Sequence, residues 1–475
     1  MNNHPEHSWS SNKRILDQIV ALEATSLPSI FVKGNLNFWP AVRIRLAFGL
    51  IERRYKAKAQ KFPLNGLLSD LFKNIFSFRN KLQKSDVLFV SHPNYQCTVE
   101  GQTYDRVLEG YKLECKKRGE TYSELNLATG TIKFQDNEEL VKHFGIRIFL
   151  IKAYAYIYSR LFNKGIVGVD GAVAIINKEF NKNFPGHNIT GLQINQYVTY
   201  VSALARFYGS VLKKLGVSRV CQATYYDPVG LSINAAASSL RIKTYCAQHG
   251  GQSKNNPAFG QWTNIPANGY EMLPDVFLCW DEESSNTILD WAEDNKNHET
   301  EITGYHWPNL WRSGKIGLDK IDVKDGFDHT KLNVLYSMQP SIGMPPRIIY
   351  QMLGLFSEDV NWWFRLHPRQ LGSEVEVDLR SLHGGTNNIF ISEATGRPLP
   401  ALMTFMDLHI TCFSSCVYEA IAFDVPTIFI HKAGQEYFNC HIESGKAMLC
   451  LESTQLEREI GARIKDRKQI DFGIL

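Results

Sequence analysis

The chain has 475 residues, of which 44% are apolar and 12% aromatic, and its net charge is +4. A chain of this length exceeds what one hydrophobic core normally supports, so the sequence predicts two domains and excludes a mainly disordered protein. The small net charge excludes the global basic field of nucleic-acid-binding proteins, and no nucleic-acid partner is expected.

The first 85 residues predict a helical cap followed by a basic linker. Helical periodicity over 12–51 is interrupted by the turn-forming stretch at 34–40. Between Arg53 and Lys84 there are nine Lys or Arg residues and one acid, interleaved with Leu, Ile and Phe. The pattern suits an anionic membrane surface, and it equally suits an amphipathic helix packed on the body with a solvated charged face. Both interpretations stay open.

The next part of the chain, 86–310, predicts a first Rossmann-like α/β domain. A βα unit opens it, helices dominate its middle, and a strand–helix–strand series follows. Strands are predicted at 86–91, 219–226, 242–247 and 275–280, and helices at 104–118, 137–162, 194–215, 230–240 and 282–292.

A polar region from Gly304 to Lys331 predicts the linker, with its core at 311–331. A second Rossmann-like domain is predicted at 332–465, followed by a tail at 466–475. Its strands are predicted at 333–338, 362–366, 389–392, 408–412 and 426–431, and its helices at 346–356, 399–406 and 416–423. Strands that alternate with helices predict doubly wound parallel sheets, which bind ligands at the carboxyl ends of their strands.

Polar clusters in the second domain follow predicted strands directly. Each cluster has a structural alternative, because a serine at a helix start is usually an N-cap and a glutamate on a helix is usually solvated. Taken together on successive strand ends, they favour a nucleotide site: arginine and histidine can donate to a phosphate, a helix start favours its negative charge, and a glutamate can accept from ribose hydroxyls. The candidates are Gln339, Pro340, Ser341, Arg365, His367, Pro368, Ser414, Ser415 and Glu419.

In the first domain, Asp227 ends one predicted strand and Gln248-His249-Gly250 ends its neighbour. Asp227 can serve as nucleophile or general base, and His249 as general acid–base or as a ligand of a donor phosphate or carboxylate. Gly250 allows a ligand close to the backbone. The sequence Asp227-Pro228 equally suits a turn or a helix N-cap.

Several other functional classes lack their sequence signals. No Walker loop, no G-x-G-x-x-G after a strand and no serine-nucleophile elbow is present. The nine cysteines form no CxxC pair, so no metal site is expected. The polar residues 1–13 do not resemble a secretory signal, and no segment has the roughly 20 apolar residues that span a bilayer. A cytoplasmic location is expected, with contact to the inner face of the membrane through 53–84 as an option.

The order and spacing of four motifs resemble bacterial capsule and lipopolysaccharide glycosyltransferases of the GT-B fold. More closely, they resemble enzymes that use CMP-activated acidic sugars, namely Kdo transferases and sialyl- and polysialyltransferases with HP and SS motifs. The resemblance implies two Rossmann-like domains facing a central cleft, a metal-independent transfer, and lipid-linked or growing glycans as acceptors. The motifs are Gln248-His249-Gly250, Gln339-Pro340, Arg365-Leu366-His367-Pro368 and the segment 414–420.

In that family the HP histidine and the SS serines contact CMP, which implies this role for His367, Ser414 and Ser415. The family's Gln-Pro pair often has a following Asp, whereas Ser341 follows here. This departure leaves room for another nonulosonic acid, such as sialic, pseudaminic or legionaminic acid.

The sequence therefore predicts transfer of an acidic sugar from a CMP-sugar donor, bound by the second domain, to a glycan acceptor on the first, with no cofactor. Closure would bring Asp227 or His249 to the anomeric carbon. A nucleophilic Asp227 would give double displacement, and a basic one single inversion. The alternatives are a glycerol- or ribitol-phosphate transferase with a CDP donor, a sugar-nucleotide epimerase and a non-catalytic membrane-associated assembly scaffold.

Overall fold

The chain divides into two compact units. The computed structural model describes residues 6–54, 82–127, 131–135, 137–143, 145–162, 165–293, 297–316, 330–383 and 386–472. The N-terminal unit comprises Ser10–Cys97 and Thr103–Gly304, and the C-terminal unit comprises Tyr305–Leu475 with Met1–Trp9 and Thr98–Gln102. The division falls after Gly304, six residues before the domain end expected at 310. Most of the basic segment (55–81) and of the linker (317–329) lies outside the described residues.

The N-terminal segment is helical, and from Ser10 onward it belongs to the core of the N-terminal unit. Its elements are helices α1 (Glu6–Glu23), α2 (Leu27–Ile30) and α3 (Trp39–Arg54), with the hairpin strands β1 (Val32–Lys33) and β2 (Leu36–Asn37) between them. The hairpin turns at Gly34, whose φ of +64° favours glycine. Ile15, Phe31 and Trp39 are completely buried in the same cluster as Tyr225.

The N-terminal unit is built on an eight-stranded sheet with the order β12-β11-β10-β9-β3-β6-β7-β8. Pairing is parallel from β12 to β6 and antiparallel for β6–β7 and β7–β8. The strands are β3 (Val87–Ser91), β6 (Tyr122–Asn126), β7 (Thr131–Phe134), β8 (Asn137–His143), β9 (Arg219–Gln222), β10 (Lys243–Ala247), β11 (Val276–Cys279) and β12 (Glu299–Ile302); β4 (Gln96–Val99) and β5 (Gln102–Asp105) pair separately.

Within the described residues, the helices between these strands are α4 (Glu109–Lys117), α5 (Gly145–Phe162), α6 (Val169–Asn181), α7 (Gly191–Leu215), α8 (Pro228–Leu240) and α9 (Glu282–Ala292). The longest, α7, begins with a capping box in which Thr190 and Gln193 satisfy each other's backbone N–H groups, and ends at Gly216 in the left-handed conformation. Residues 137–143, predicted as helix, instead form the antiparallel edge strand β8, because pairing with β7 (Thr131↔His143) outweighs the local helix preference of that segment.

The C-terminal unit is built on a six-stranded, wholly parallel sheet with the order β15-β14-β13-β16-β17-β18. Its central strand is buried along its entire length, as expected of a sheet covered on both faces. The strands are β13 (Leu332–Ser337), β14 (Val360–Arg365), β15 (Ile389–Phe390), β16 (Leu408–Thr411), β17 (Thr427–Phe429) and β18 (Ala447–Leu449).

The helices described in this unit are α10 (His306–Arg312), α11 (Arg347–Leu355), α12 (Glu374–His383), α13 (Ser392–Gly396), α14 (Leu399–Met403), α15 (Cys416–Ala422), α16 (Lys432–Glu443) and α17 (Ser453–Phe472). The region predicted as a polar linker begins with α10, which buries Trp307 and Trp311. The two sheets with intervening helices confirm the predicted α/β class, and the helical N-terminal extension is present.

Candidate functional site

Each sheet contains one point at which the strand order reverses direction. In the C-terminal unit, successive strands β13, β14 and β15 run to one side and β16, β17 and β18 to the other, so the reversal lies between β13 and β16. In the N-terminal unit it lies between β3 and β9. Open α/β sheets bind ligands outside the carboxyl ends of the strands at such points, because the loops there separate and leave a crevice.

In the C-terminal unit three strands end at the same level. Ser337 at the end of β13 pairs with Arg365 of β14 on one side and Thr411 of β16 on the other. The loops that follow therefore leave one edge of the sheet together. This register brings the predicted candidates from Gln339 to Ser341, from Arg365 to Pro368 and from Ser414 to Ser415 to that edge.

Gln339 connects two of these loops. Its Oε1 accepts a hydrogen bond of 2.9 Å from the backbone N–H of Phe413, which spans the reversal point between β13 and β16. The Gln370 side chain donates to the Gln339 carbonyl at 3.4 Å and ties in the loop after β14. Pro340 is exposed and Ser341 half-buried at the open side. The Gln339 side chain and backbone carbonyl thus connect the loops that follow β13, β14 and β16.

The Arg365 guanidinium binds a neighbouring helix and the loop after it. It donates to the carbonyls of Ala394 and Arg397 at 2.5 and 2.7 Å, and these bonds fix α13 against the sheet edge. Burial raises the pKa of the Cys416 thiol, Glu419 adds to the rise, and Arg365 opposes it. The Arg365 charge therefore acts at the start of α15.

His367 has a defined tautomer. Its Nδ1 accepts from the backbone N–H of Arg369 at 3.1 Å and caps the short 3-10 helix Pro368–Gln370. Because Nδ1 accepts, the neutral ring carries its proton on Nε2 and presents a donor there. Pro368 begins the 3-10 turn and is exposed.

The two serines have different positions at the start of α15. Ser414 Oγ accepts from the backbone N–H of Cys416 at 3.3 Å, which is the capping role that its position suggests. The Ser415 hydroxyl makes no capping bond, although Ser415 occupies the N-cap position. Both residues are half-buried at the edge of the crevice.

Glu419 lies further inside than expected of a solvated helix residue. Only 5% of it is exposed, and its Oε1 accepts a hydrogen bond of 2.8 Å from the Tyr305 hydroxyl. The phenol orients the carboxylate one turn into α15.

The reversal point of the N-terminal unit holds a cluster of aromatic and titratable side chains. The Tyr226 hydroxyl and His249 Nε2 lie 2.9 Å apart, and the Tyr95 ring centroid lies 4.9 Å from that of His249. His92 contacts Tyr95 with ring centroids 5.6 Å apart. These side chains come from the segments after β3, β9 and β10, and Asp227 follows β9 beside them.

Asp227 caps helix α8 with one carboxylate oxygen only. Its Oδ1 accepts from the N–H groups of Val229 and Gly230 at 2.6 and 2.9 Å. A Cβ at Gly230 would lie 2.6 Å from the Tyr225 carbonyl, so glycine is needed there. Oδ2 is buried and has no hydrogen-bond partner among the described residues. Burial raises the pKa of Asp227, while the two backbone donors and His92 oppose the rise.

His249 is neutral at pH 7, since burial lowers its pKa to about 4. Its Nε2 lies within hydrogen-bond distance of the Tyr226 hydroxyl, and its Nδ1 is buried without a partner in the described part of the chain. A neutral imidazole can move a proton or share a hydrogen bond, but it supplies no positive charge to an anion.

The residues on either side of His249 differ in their contacts. The Gln248 amide is used within the protein, because it donates to Ser284 Oγ at 2.9 Å and accepts from the Trp280 N–H at 2.6 Å. A Cβ added at Gly250 would meet no atom within 4 Å, so the backbone there borders open space.

His92, Tyr95 and Tyr226 were not among the predicted site residues. His92 directly follows the predicted strand at 86–91, so the strand-end rule applied in the second domain also covers it. Tyr95 comes three residues later, at the end of the 3-10 turn Pro93–Tyr95.

A completely buried histidine lies in the sheet of the C-terminal unit and makes the fold sensitive to acid. His409 is completely buried in β16, with Nε2 at 2.5 Å from Ser337 Oγ and Nδ1 at 3.0 Å from Thr427 Oγ1. Burial lowers its pKa to about 3, as burial lowers that of His249 to about 4.

Between an unfolded pKa of about 6.5 and these folded values, the unfolded chain binds more protons, so stability is present above pH 6.5 and is lost as the pH falls toward 4. We expect up to about 1.4 kcal/mol of loss per pH unit for each histidine, measured by urea unfolding across this range. His409→Gln should flatten the slope. Near pH 8 these histidines should not make the unfolding free energy of either protein depend on pH. If the slope between pH 6.5 and 4 is unchanged in the variant, the assignment to His409 is contradicted.

Within the described ranges, no group of three or more His, Cys, Asp or Glu side chains is placed to hold a metal ion. Of the helices that the structure describes, none combines the length and apolarity needed to cross a membrane.

No protein-family model matches this sequence, and a comparison with curated proteins finds no match. Solved structures with a similar fold include the UDP-GlcNAc 2-epimerase of Methanocaldococcus jannaschii in complex with UDP-GlcNAc and UDP, with 14% identity over 80% of this chain and 92% of that one (TM-score 0.47). The UDP-GlcNAc 2-epimerase of Neisseria meningitidis bound to UDP-GlcNAc has 12% identity, over 81% and 91% (TM-score 0.44). The wall teichoic acid polymerase TagF has 11% identity, over 86% and 91% (TM-score 0.43). Similarities this remote transfer neither an activity nor a ligand to this chain.

Proposed function

We propose that the protein is a glycosyltransferase that moves an acidic sugar, a nonulosonic acid or Kdo, from a CMP-sugar to a glycan acceptor. The observation that carries the proposal is the crevice at the β13/β16 reversal point, where Gln339, His367 and Ser415 come together. Donor groups at the carboxyl ends of parallel strands suit a nucleotide phosphate.

Within this site, His367 Nε2–H and the Ser415 hydroxyl are assigned to the CMP phosphate. His367 is preorganised, because the Arg369 N–H fixes its tautomer and ring orientation. Glu419, oriented by Tyr305, is assigned to the ribose hydroxyls. No metal or other cofactor is required in this proposal.

The reacting carboxylate is assigned to Asp227. A buried carboxylate with a raised pKa and one unpaired oxygen is more typical of a reacting group than of a helix cap, which needs only the other oxygen. His249 and Tyr226 form a neutral pair suited to proton transfer or to orienting the acceptor.

Nucleotide binding tests the proposal. We expect CMP to raise the melting temperature of the protein more than CDP or UDP does. His367→Ala should weaken CMP binding about 10- to 100-fold, the effect of losing one hydrogen bond to a charged group. Calorimetric titration with CMP measures this change.

His431 provides the matched control. It follows β17, one strand beyond the reversal point, and caps α16 in the same manner, with Nδ1 accepting from the Ala433 N–H at 3.1 Å. Its ring centroid lies 5.6 Å from that of Phe413. His431→Ala should lose its cap and keep its CMP affinity. Protection by CDP alone would favour a polyol-phosphate transferase, by UDP alone an epimerase, and by none of the three a scaffold; each of these results would contradict the proposal. Hydrolysis of one of several CMP-nonulosonates would identify the sugar.

A further inference from the structure

Helix α5 exposes a row of large apolar side chains on one face. These residues, which we call the α5 face, are Phe149, Leu150, Tyr154, Ile157 and Leu161, with 49%, 58%, 46%, 55% and 70% of each exposed. Their spacing places them within one arc of the helix. An ordinary surface helix has polar residues there, so the α5 face is an apolar patch of the kind that marks an interaction surface.

The opposite side of α5 is already packed. Ile148 and Ile151 contact the cluster that contains Leu204 and Tyr208 of α7, and Ala155 is buried. Helix α5 is therefore apolar nearly all round, and helices of this kind are normally covered on every side. Its exposed face is suited to a second apolar environment.

The charges on α5 are all positive. The helix contains Arg147, Lys152 and Arg160 and no acidic residue. Lys152 and Arg160 are exposed, and the Arg160 guanidinium lies 4.2 Å from the centroid of the Tyr156 ring. Long cationic side chains beside apolar residues can extend to lipid headgroups while their stems stay in the apolar layer.

A cationic cavity opens beside the same helix. Its volume is about 720 Å³, Tyr154 and Tyr158 line it from α5, and the charged residues among its described lining are Lys33, Arg206 and Lys213. Burial lowers the pKa of Lys33, and the nearby Arg206 lowers it further, so these cations are close enough to repel each other. An anion in the cavity would relieve this repulsion.

We propose that the α5 face and this cavity together form a docking surface for an anionic phospholipid bilayer, with the apolar side chains in the acyl boundary and a lipid phosphate in the cavity. The charge pattern favours this occupant over a second copy of the chain. A two-fold dimer through this face would set it against its own copy, and neither α5 nor the described cavity lining supplies an acidic side chain to neutralise these cations. The surface is distinct from 53–84 and does not depend on the proposed reaction.

Vesicle flotation tests the proposal. We expect the full chain to bind vesicles of phosphatidylcholine and phosphatidylglycerol in equal parts, more weakly at high salt, and to bind pure phosphatidylcholine poorly. Arg206→Ser/Lys213→Ser should weaken binding to the mixed vesicles about fivefold for each removed cation. Ile157→Glu/Leu161→Glu should abolish binding to both.

Leu355→Glu/Val377→Glu is the matched control, because these two exposed apolar side chains of the C-terminal unit (57% and 64%) add the same charge elsewhere. It should bind the mixed vesicles like the wild type, and all variants should keep the wild-type melting temperature. The proposal is overturned if the wild type binds neither vesicle, or if Ile157→Glu/Leu161→Glu binds like the control. It is also overturned if that variant only converts a dimer to a monomer, as measured by light scattering.

Discussion

Asp227→Asn is expected to lower turnover by about 10²- to 10⁴-fold while the protein stays folded. Asn is as good an N-cap as Asp, so its side-chain oxygen can keep the bonds from Val229 and Gly230. The substitution removes only the ionisable function of the unpaired Oδ2. Turnover is measured as CMP release from a CMP-sugar, and stability by thermal unfolding at pH 7.

The stability of the same variant provides the internal control. Because burial raises the pKa of Asp227, the ionised carboxylate costs stability at neutral pH, and Asp227→Asn should leave the melting temperature equal or higher. Asp227→Ala removes the cap too and should cost about 1 kcal/mol as well as the activity. Full turnover in Asp227→Asn would show that Asp227 is only a helix cap.

A buried ion pair anchors the N-terminal helices to the N-terminal unit. Arg43 Nε lies 3.4 Å from Glu23 Oε1, and neither side chain is exposed. Arg43 also donates to the Gly260 carbonyl at 2.9 Å and lies 3.8 Å from the centroid of the Trp262 ring. Glu23 accepts from Trp39 Nε1 at 2.7 Å. The pair therefore connects α1, α3 and the loop at 260–263.

Arg43→Met should cost about 3–5 kcal/mol of unfolding free energy, since it leaves the Glu23 carboxylate buried without its counter-charge. Urea unfolding measures the loss. Burial already raises the pKa of Glu23, so Glu23→Gln in the Arg43→Met background should recover part of it. Lys243→Met is the control: its pair with Glu299 in the same unit is half-exposed, and its loss should stay within about 1 kcal/mol. A similar small effect for Arg43→Met would refute the anchoring role.

The sequence predicted the parts of the site that follow from the alternation of strands and helices along the chain. Buried strands read as continuous apolar runs, so β13, β14 and β16 and the polar residues after them could be placed without coordinates. The reversal of strand order could not, because it depends on which strands pair across long separations. Hence the sequence predicts Gln339 as a site residue from its position after a strand, and only the fold shows its bond to Phe413.

The sequence did not reveal the roles of Glu23, Arg43 and the segment 137–143, because these roles depend on tertiary contacts. Glu23 and Arg43 have the spacing of ordinary charged residues on amphipathic helices, and contacts with each other and with the distant loop at 260–263 bury them. The segment 137–143 has a helical composition and becomes a strand through its neighbour β7. Tertiary partners decided each of these cases, and local preference did not.

The common end point of β13, β14 and β16 also affects which sequence changes the loops after them can accept. Because Ser337 is paired on both sides at the last position of its strand, each loop beyond it starts from a fixed anchor. A loop can then lengthen, shorten or exchange residues without shifting the neighbouring strands. Under the proposed function, selectivity for the base, the sugar or the phosphate count can then diverge one loop at a time, while the sheet beneath remains the same scaffold.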